Sequence, residues 1–270
     1  MIPIDENSDR VYIGENEPTT RGLGDGVLLT GVIREINLKY PDKKIIVKTQ
    51  SPKEVFMNNP RIAEVHDGWW EDLELWPKGR WRAPIHQVKN LCETYGIYTE
   101  NINAEIFLTE HEALVAKKTL ELVSPDKPAI MFCRNSTDPN RDWTDEAWFK
   151  IIEMLNKKYN VFQIDESIRY DHRTGGMPRV MSTISNARQE LRGLPIRNIF
   201  GLMYHSRKYL GTNTGWMACA TAFGNDNFCY MYDPKMWGAF HWVFPRNNNI
   251  FLEDPFEQTM ARIKEAWMDK

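Results

Sequence analysis

Two short glycine-flanked runs hold the residue types that could do chemistry. The first, Gly22-Leu23-Gly24-Asp25-Gly26, places a carboxylate among glycines just ahead of Leu28, Leu29, Val32, Ile33 and Ile36 at helical spacing. A glycine loop opening a helix lets backbone approach a ligand, and the helix amides with their positive dipole end favour an anion. Asp25 is then either a helix cap or a carboxylate base beside a cleft. The second run, Gly211-Thr212-Asn213-Thr214-Gly215, joins an expected strand at 208–212 to an expected helix at 215–223. It aims the amides of Thr214 to Met217 at a phosphate-sized anion, with the Thr212 and Thr214 hydroxyls as further donors. A plain strand-to-helix turn with threonine caps is the alternative. Arg134, after an expected strand at 129–133, and Arg141, just before Trp143, place guanidinium groups near the same edge, where they could hold a diphosphate bidentately. Isolated arginines are otherwise solvated surface.

Other chemistries lose weight on spacing. Val27 stands where the third glycine of a dinucleotide fingerprint belongs, and no Gly-Lys-Ser/Thr completes a P-loop. There is no Gly-x-Ser-x-Gly elbow. The six histidines show no metal-ligand spacing, and no Asp-x-Asp pair is present to carry Mg²⁺, so no metal and no cofactor is expected. Four cysteines without a Cys-x-x-Cys pair are expected to be buried thiols in a reducing compartment. With 34 basic and 37 acidic residues, a net charge of −3, nothing global draws the chain to a polyanion. The start, MIPIDENSDR, lacks the basic and apolar regions of a signal peptide, and no apolar run approaches the ~20 residues of a membrane span. A cytoplasmic protein is expected.

The elements that must position these residues alternate. Strands are expected at 10–13, 44–48 and 62–66, with a helix from Asp25 to just before Pro41 and a short helix at 52–57. A helix at 83–95 and a strand at 104–108 follow, and the charged, helical stretch 109–128 is the expected joint. A second alternation has strands at 129–133, 161–165, 208–212 and 228–232, with helices at 145–157, 199–205 and 215–223. Asp254-Pro255-Phe256-Glu257 signals the start of a closing helix with the stripe Phe256, Met260, Ile263, Trp267. The 169–197 stretch, with six arginines, is expected to contain a long loop. Trp69, Trp70, Trp76 and Trp81 either fill a core or offer flat faces to a ligand, and at least two of them are assigned to core packing.

Together these segments resemble the heptosyltransferase family of GT-B glycosyltransferases, glycosyltransferase family 9. The stretch GLGDGVLLTGVIREINLKYPDKKIIV is similar to the family's Gly-x-Gly-Asp loop, helix, Tyr-Pro turn and strand. VFMNNPRIAEVHDG is similar to its Asn-Pro segment, and NIFGLMYHSRKYLGTNTGWMACATAFG to its donor-diphosphate turn. The resemblance implies an α/β fold of two Rossmann-like domains facing a central cleft. An acceptor-side domain would span 1–110, a nucleotide-sugar donor domain 111–253, and a terminal helix, 254–270, would pack back on the first. It implies inverting, metal-independent transfer of a sugar from a nucleotide-diphosphate sugar to the hydroxyl of a glycan or glycolipid. Asp25 would be the base. Arg141, Thr212, Asn213, Thr214 and Gly215 would bind donor phosphate, with Gly22, Gly24, Gly26 and Arg134 about the cleft. Three positions depart from the family: Asn213 replaces an Asp, Ala218 a His, and Gly31 a Pro. Two rivals are a nucleotide-sugar-binding protein without turnover, supported by Asn213 and Ala218, and a glycosyltransferase acting on nucleic acid, motivated by the arginine-rich stretch.

Overall fold

The computed structural model describes residues 4–5, 7–14, 22–68, 85–134, 143–165, 168–171, 177–180, 182–231, 244–251 and 254–269, the two short stretches 168–171 and 177–180 by backbone alone. Arg141, the four clustered tryptophans and Arg173 lie outside them.

Strand β1 (Arg10–Gly14), helix α1 (Leu23–Lys39), β2 (Lys44–Thr49) and β3 (Ile62–Asp67) build a parallel sheet in the order β1-β2-β3. Helix α1 ends at Lys39 because Pro41 cannot continue it, and the Tyr40 N–H caps Ile36 O. It starts two residues earlier than the hydrophobic spacing predicts, so Gly24 and Gly26 lie inside its first turns and not in a loop. The glycines there serve close packing. A Cβ added at Gly26 would sit 2.9 Å from Ser51 Cβ, and one at Gly31 2.8 Å from Asn103 O. The 52–57 stretch forms only a 3-10 turn at 53–55.

Helix α2 (Gln87–Thr94) is shorter than expected. The 104–108 stretch forms no helix and joins no sheet. Its hydrogen bonds go to side chains: Glu105 N to Thr30 Oγ1 at 2.9 Å, and Phe107 O to Arg197. Just upstream the Arg34 guanidinium takes Asn101 O at 2.9 Å and Asn103 O. Where a strand would have ladder partners, this stretch has side-chain straps.

Helix α3 (Glu110–Val123) leads into β4 (Ala129–Cys133), α4 (Asp145–Leu155), β5 (Asn160–Gln163), the antiparallel pair β6 (Ile168–Asp171) and β7 (Met177–Val180), α5 (Ile196–Ser206), β8 (Lys208–Thr212), α6 (Gly215–Ala222), β9 (Asp226–Met231) and β10 (Asn248–Phe251). The five-stranded sheet is parallel throughout, in the order β10-β9-β8-β4-β5. Counted within this half it reads 2-1-3-4-5, a doubly wound order that reverses between β4 and β8.

Both faces of that sheet are covered, which is why β4 is apolar at every position and β8 and β9 are buried at nearly all of theirs. Ile130, Phe132, Leu210, Phe228 and Tyr230 face one core, shared with Trp148, Ile152 and Leu155 of α4. Met131, Cys133, Tyr209, Cys229 and Met231 face the other. This second core runs without a break through α5 and α6 into α1, β1 and β2. All four cysteines are buried and free, and burial pushes the Cys92 thiol up to about 12, so they serve as core volume.

The closing helix α7 (Phe256–Ile263) continues into a π turn at 264–268. Its packing in the described residues is against the five-stranded sheet and α4, not against the amino half where the resemblance placed it. Ile263 and Trp267 join Phe228, Ile250 and Tyr159. The Trp267 indole donates to Asp226 Oδ2 at 2.6 Å, and Tyr159 Oη donates to Trp267 O at 2.7 Å. The apolar stripe finds its partner on the sheet face next to it in the chain.

Candidate functional site

The two glycine-flanked runs come together. A Cβ added at Gly215 would lie 2.6 Å from the Gly24 amide nitrogen and 2.7 Å from Leu23 Cβ, so α6 and α1 meet start to start. Only glycine allows that approach. Gly215 is the first residue of α6, and Leu23 and Gly24 are the first two of α1. First-turn amides have no acceptor inside their own helix, and each start carries roughly half a positive charge. Two such ends in contact favour negative charge beside them.

Asp25 supplies one such charge. It is the third residue of α1, half-buried, and its Oδ2 accepts the Gly22 N–H at 3.2 Å. Gly22 is the N-cap in extended backbone, and a Cβ there would sit 2.9 Å from Asp25 Oδ2. Asp25 therefore does cap α1, from inside the first turn and not from the N-cap position. The Ser51 hydroxyl donates to Gly22 O at 3.1 Å and pins the loop from below.

On the other side, the site lies beyond the carboxyl ends of β4 and β8, where the strand order reverses and where open parallel sheets hold their ligands. Gly211 lets these strands close up, since a Cβ there would lie 2.2 Å from Cys133 O. Thr212 is fully buried and donates to Arg134 O at 3.0 Å, so its hydroxyl ties the two strand ends together instead of reaching a ligand. Asn213 is buried too, with its N–H on Tyr230 O at 2.9 Å. Thr214 is the N-cap of α6 without a side-chain cap bond, and its hydroxyl sits 3.5 Å from Tyr209 Oη and 3.8 Å from Cys133 Sγ. Tyr209 is a buried neutral phenol, its pKa pushed well up by burial.

The Arg134 guanidinium is buried and paired with Asp145 Oδ1 at 2.6 Å, at the start of α4. It braces that helix start against the strand edge, a role its position alone does not reveal. The structure thus gathers Gly22, Gly24, Asp25, Thr214 and Gly215 at one contact, puts Arg134, Thr212 and Asn213 in its supporting layer, and leaves Gly26 behind it against Ser51. Spacing offered no signal for Tyr209, which lies in a strand like any core aromatic, or for Arg197, whose guanidinium is buried. Among the described residues no group of three His, Cys, Asp or Glu is placed to hold a metal ion. No helix among them is long and apolar enough to cross a membrane.

The remaining arginines of the 169–197 stretch that can be followed are paired with acids. Arg188 meets Glu190 at 2.8 Å, Arg192 meets Asp165 at 3.4 Å, and Arg197 meets Glu112 at 2.6 Å.

The sequence matches no protein-family model and no curated protein. Solved structures share its fold. The crystal structure of the glycosyl transferase family 9 from Veillonella parvula DSM 2008 superimposes with a TM-score of 0.67 at 15% identity, over 97% of this chain and 89% of the other. E. coli ADP-heptose LPS heptosyltransferase II gives 0.68 at 13% identity, over 96% and 98%. E. coli heptosyltransferase WaaC with ADP gives 0.55 at 11% identity, over 95% and 97%. The α/β fold with parallel sheets is that of these glycosyltransferase structures across nearly their whole length.

Proposed function

We propose that the chain is a GT-B glycosyltransferase that moves a sugar from a nucleoside-diphosphate sugar to an acceptor hydroxyl of a glycan or glycolipid. The observation that carries this reading is the start-to-start contact of α1 and α6 at the strand-order reversal, with Asp25 beside it. Two positive helix ends suit a diphosphate, and the fold is shared with an ADP-heptose LPS heptosyltransferase and with a heptosyltransferase holding ADP. In this reading residues 1–110 form the acceptor side, 111–253 the donor side, and the nucleotide is adenosine diphosphate.

The reaction is a single inverting displacement. Asp25 takes the proton of the acceptor hydroxyl as its oxygen bonds to the anomeric carbon. The bond from that carbon to the diphosphate oxygen breaks, and the electron pair leaves with the nucleoside diphosphate. Charge grows on the leaving group, where the amides of Thr214 and Gly215 and the guanidinium of Arg141 stabilise it. This chain's own donors supply that stabilisation in the proposed step, which uses no metal.

A second reading, donor binding without turnover, draws on the Asp25 bond to Gly22, since a carboxylate serving only as a cap would make it. Asp25→Asn separates the two, because Asn is nearly isosteric. As base, its loss lowers transfer about 10²–10⁴-fold with donor binding kept. Near-normal transfer by the variant, measured with ADP-heptose and a lipid-linked glycan, would remove Asp25 from the mechanism. No transfer by the parent with any nucleotide sugar, alongside tight ADP binding, would favour the second reading. Nucleic acid as acceptor draws no support from the pairings of Arg188, Arg192 and Arg197.

A further inference from the structure

One guanidinium bonds to Glu54, to Phe107 and to Glu112. Arg197, in the first turn of α5, is 8% exposed. Its Nε and Nη2 grip the two oxygens of Glu112 at 2.7 and 2.6 Å, Nη1 donates to Glu54 O at 2.9 Å, and Nη2 also donates to Phe107 O at 2.7 Å. Glu112 is held in turn by the Thr109 N–H at 2.8 Å and by Asn58 Nδ2 at 3.2 Å. The residue therefore ties α5, of the carboxyl half, to backbone of the amino half at Glu54 and to both ends of the 107–112 crossing.

Each end of this tie leads to one of the two helix starts. Glu54 sits in the turn between Ser51 and Phe56. Ser51 Oγ bonds Gly22 O at 3.1 Å, and Phe56 Cε2 would lie 3.6 Å from a Cβ at Gly26. In the other direction Arg197 lies over the Phe200 ring, 5.7 Å from its centroid, and that ring meets Trp216, the second residue of α6, edge-on at 6.2 Å. An unbroken series of contacts thus runs from the start of α1 through Arg197 to the start of α6. This series runs beside the direct packing of α1 on α6, where Leu23, Val27, Trp216 and Met217 belong to one apolar cluster.

We infer that Arg197 is a positioning residue: through its fork on Glu112, Glu54 and Phe107 it sets the start of α6 against the start of α1 and so shapes the anion site between them. A lysine keeps the charge but offers no planar fork, so it restores the tie only in part. The ligand arm of the test rests on the nucleotide-sugar reading, and the exchange arm does not.

Amide hydrogen exchange of the parent, Arg197→Met, Arg197→Lys and Glu112→Gln tests the inference. In the Met variant, peptides covering 22–30 and 213–220 are expected to exchange about tenfold faster while those of β4 and β9 keep parental rates, with Lys and Gln in between. ADP affinity by calorimetry should fall about tenfold in Arg197→Met and recover partly in Arg197→Lys. Faster exchange confined to 107–112 and 195–199, or spread evenly over the chain, would overturn the inference by reducing Arg197 to local or general stability. Should the Met variant fail to fold, Glu112→Gln carries the same comparison, and unchanged exchange at both helix starts in it would also overturn the inference. A parent that binds no ADP counts against the nucleotide-sugar reading, and the exchange pattern still decides the role of Arg197.

Discussion

Whether a charged side chain can serve a ligand depends on what it already holds. Arg134 and Arg141 look alike in sequence, each a guanidinium near a strand edge, yet Arg134 is buried against Asp145. In the proposed reaction Arg141, which lies outside the described residues, is the guanidinium left to meet donor phosphate by resemblance, and Arg141→Ala should weaken ADP binding by about 1.5–3 kcal/mol, the range of a charge-assisted bond, as read by calorimetry. Unchanged affinity would move the anion site elsewhere. Glu112 allows a sharper prediction. The hydrogen bond from Arg197 is the largest influence on its carboxyl, burial opposes it, and the bonds from Thr109 add to it, so that the carboxyl falls from 4.5 to about 2. A depressed carboxylate stabilises the fold above its unfolded pKa and loses that contribution as pH falls from about 4.5 through about 2. The shift sets an upper limit on the order of 3 kcal/mol. Urea unfolding of the parent and Glu112→Gln should therefore differ most at neutral pH and converge toward pH 2; a gap that stays constant down to pH 2 would show that ionisation of Glu112 is not its source.

At the scale of elements, close approach matters more than glycine's conformational freedom. Gly215→Ala places a methyl group 2.6 Å from the Gly24 amide nitrogen, a backbone atom that cannot swing away, so α1 and α6 must part. The expected cost is about 1–3 kcal/mol, as for other overpacked contacts, accompanied by loss of ADP binding. A variant with parental melting temperature and ADP affinity would mean the two starts are not held together. The same glycines show what the sequence can reveal. Strands β1, β2, β4 and β8 and helices α1, α4 and α5 follow from apolar period, proline stops and Thr caps, and are found within a few residues of expectation. Spacing could not show that Gly24 opposes Gly215, because it depends on two segments about 190 residues apart meeting; the family resemblance put both about one cleft, without the contact itself. The strand expected at 104–108 fails for a related reason: local residue types suggest a strand, but whether its amides find a ladder or Thr30 is decided by distant residues. The closing helix shows its stripe plainly in sequence, while the surface receiving that stripe, the Phe228 and Tyr230 face, is chosen by the fold.

Over the whole molecule, the two sheets share one apolar core. Residues of β1, α1 and β2 lie in the same buried cluster as Met131, Phe200, Met217 and Met231 of the carboxyl half. Halves joined only by a linker and a polar cleft would unfold separately, whereas a continuous core couples them, and the Arg197 fork adds polar ties across the same boundary. Calorimetric unfolding is therefore expected to show one cooperative transition. Two transitions, with the one assigned to residues 129–269 surviving the first, would mean that the shared core contributes little across the boundary. In the proposed reading the ligand would contact both helix starts and so both halves. Binding only the folded chain, ADP at a hundred times its dissociation constant should add about 2.7 kcal/mol, which for a chain of this size corresponds to roughly 5 °C or more in melting temperature. Because the anion would sit between α1 and α6, that gain should appear as a shift of the single transition without splitting it. A shift confined to a separate carboxyl-half transition would place the nucleotide on α6 alone, and no shift with ADP or any other nucleoside diphosphate would remove the diphosphate from the site altogether.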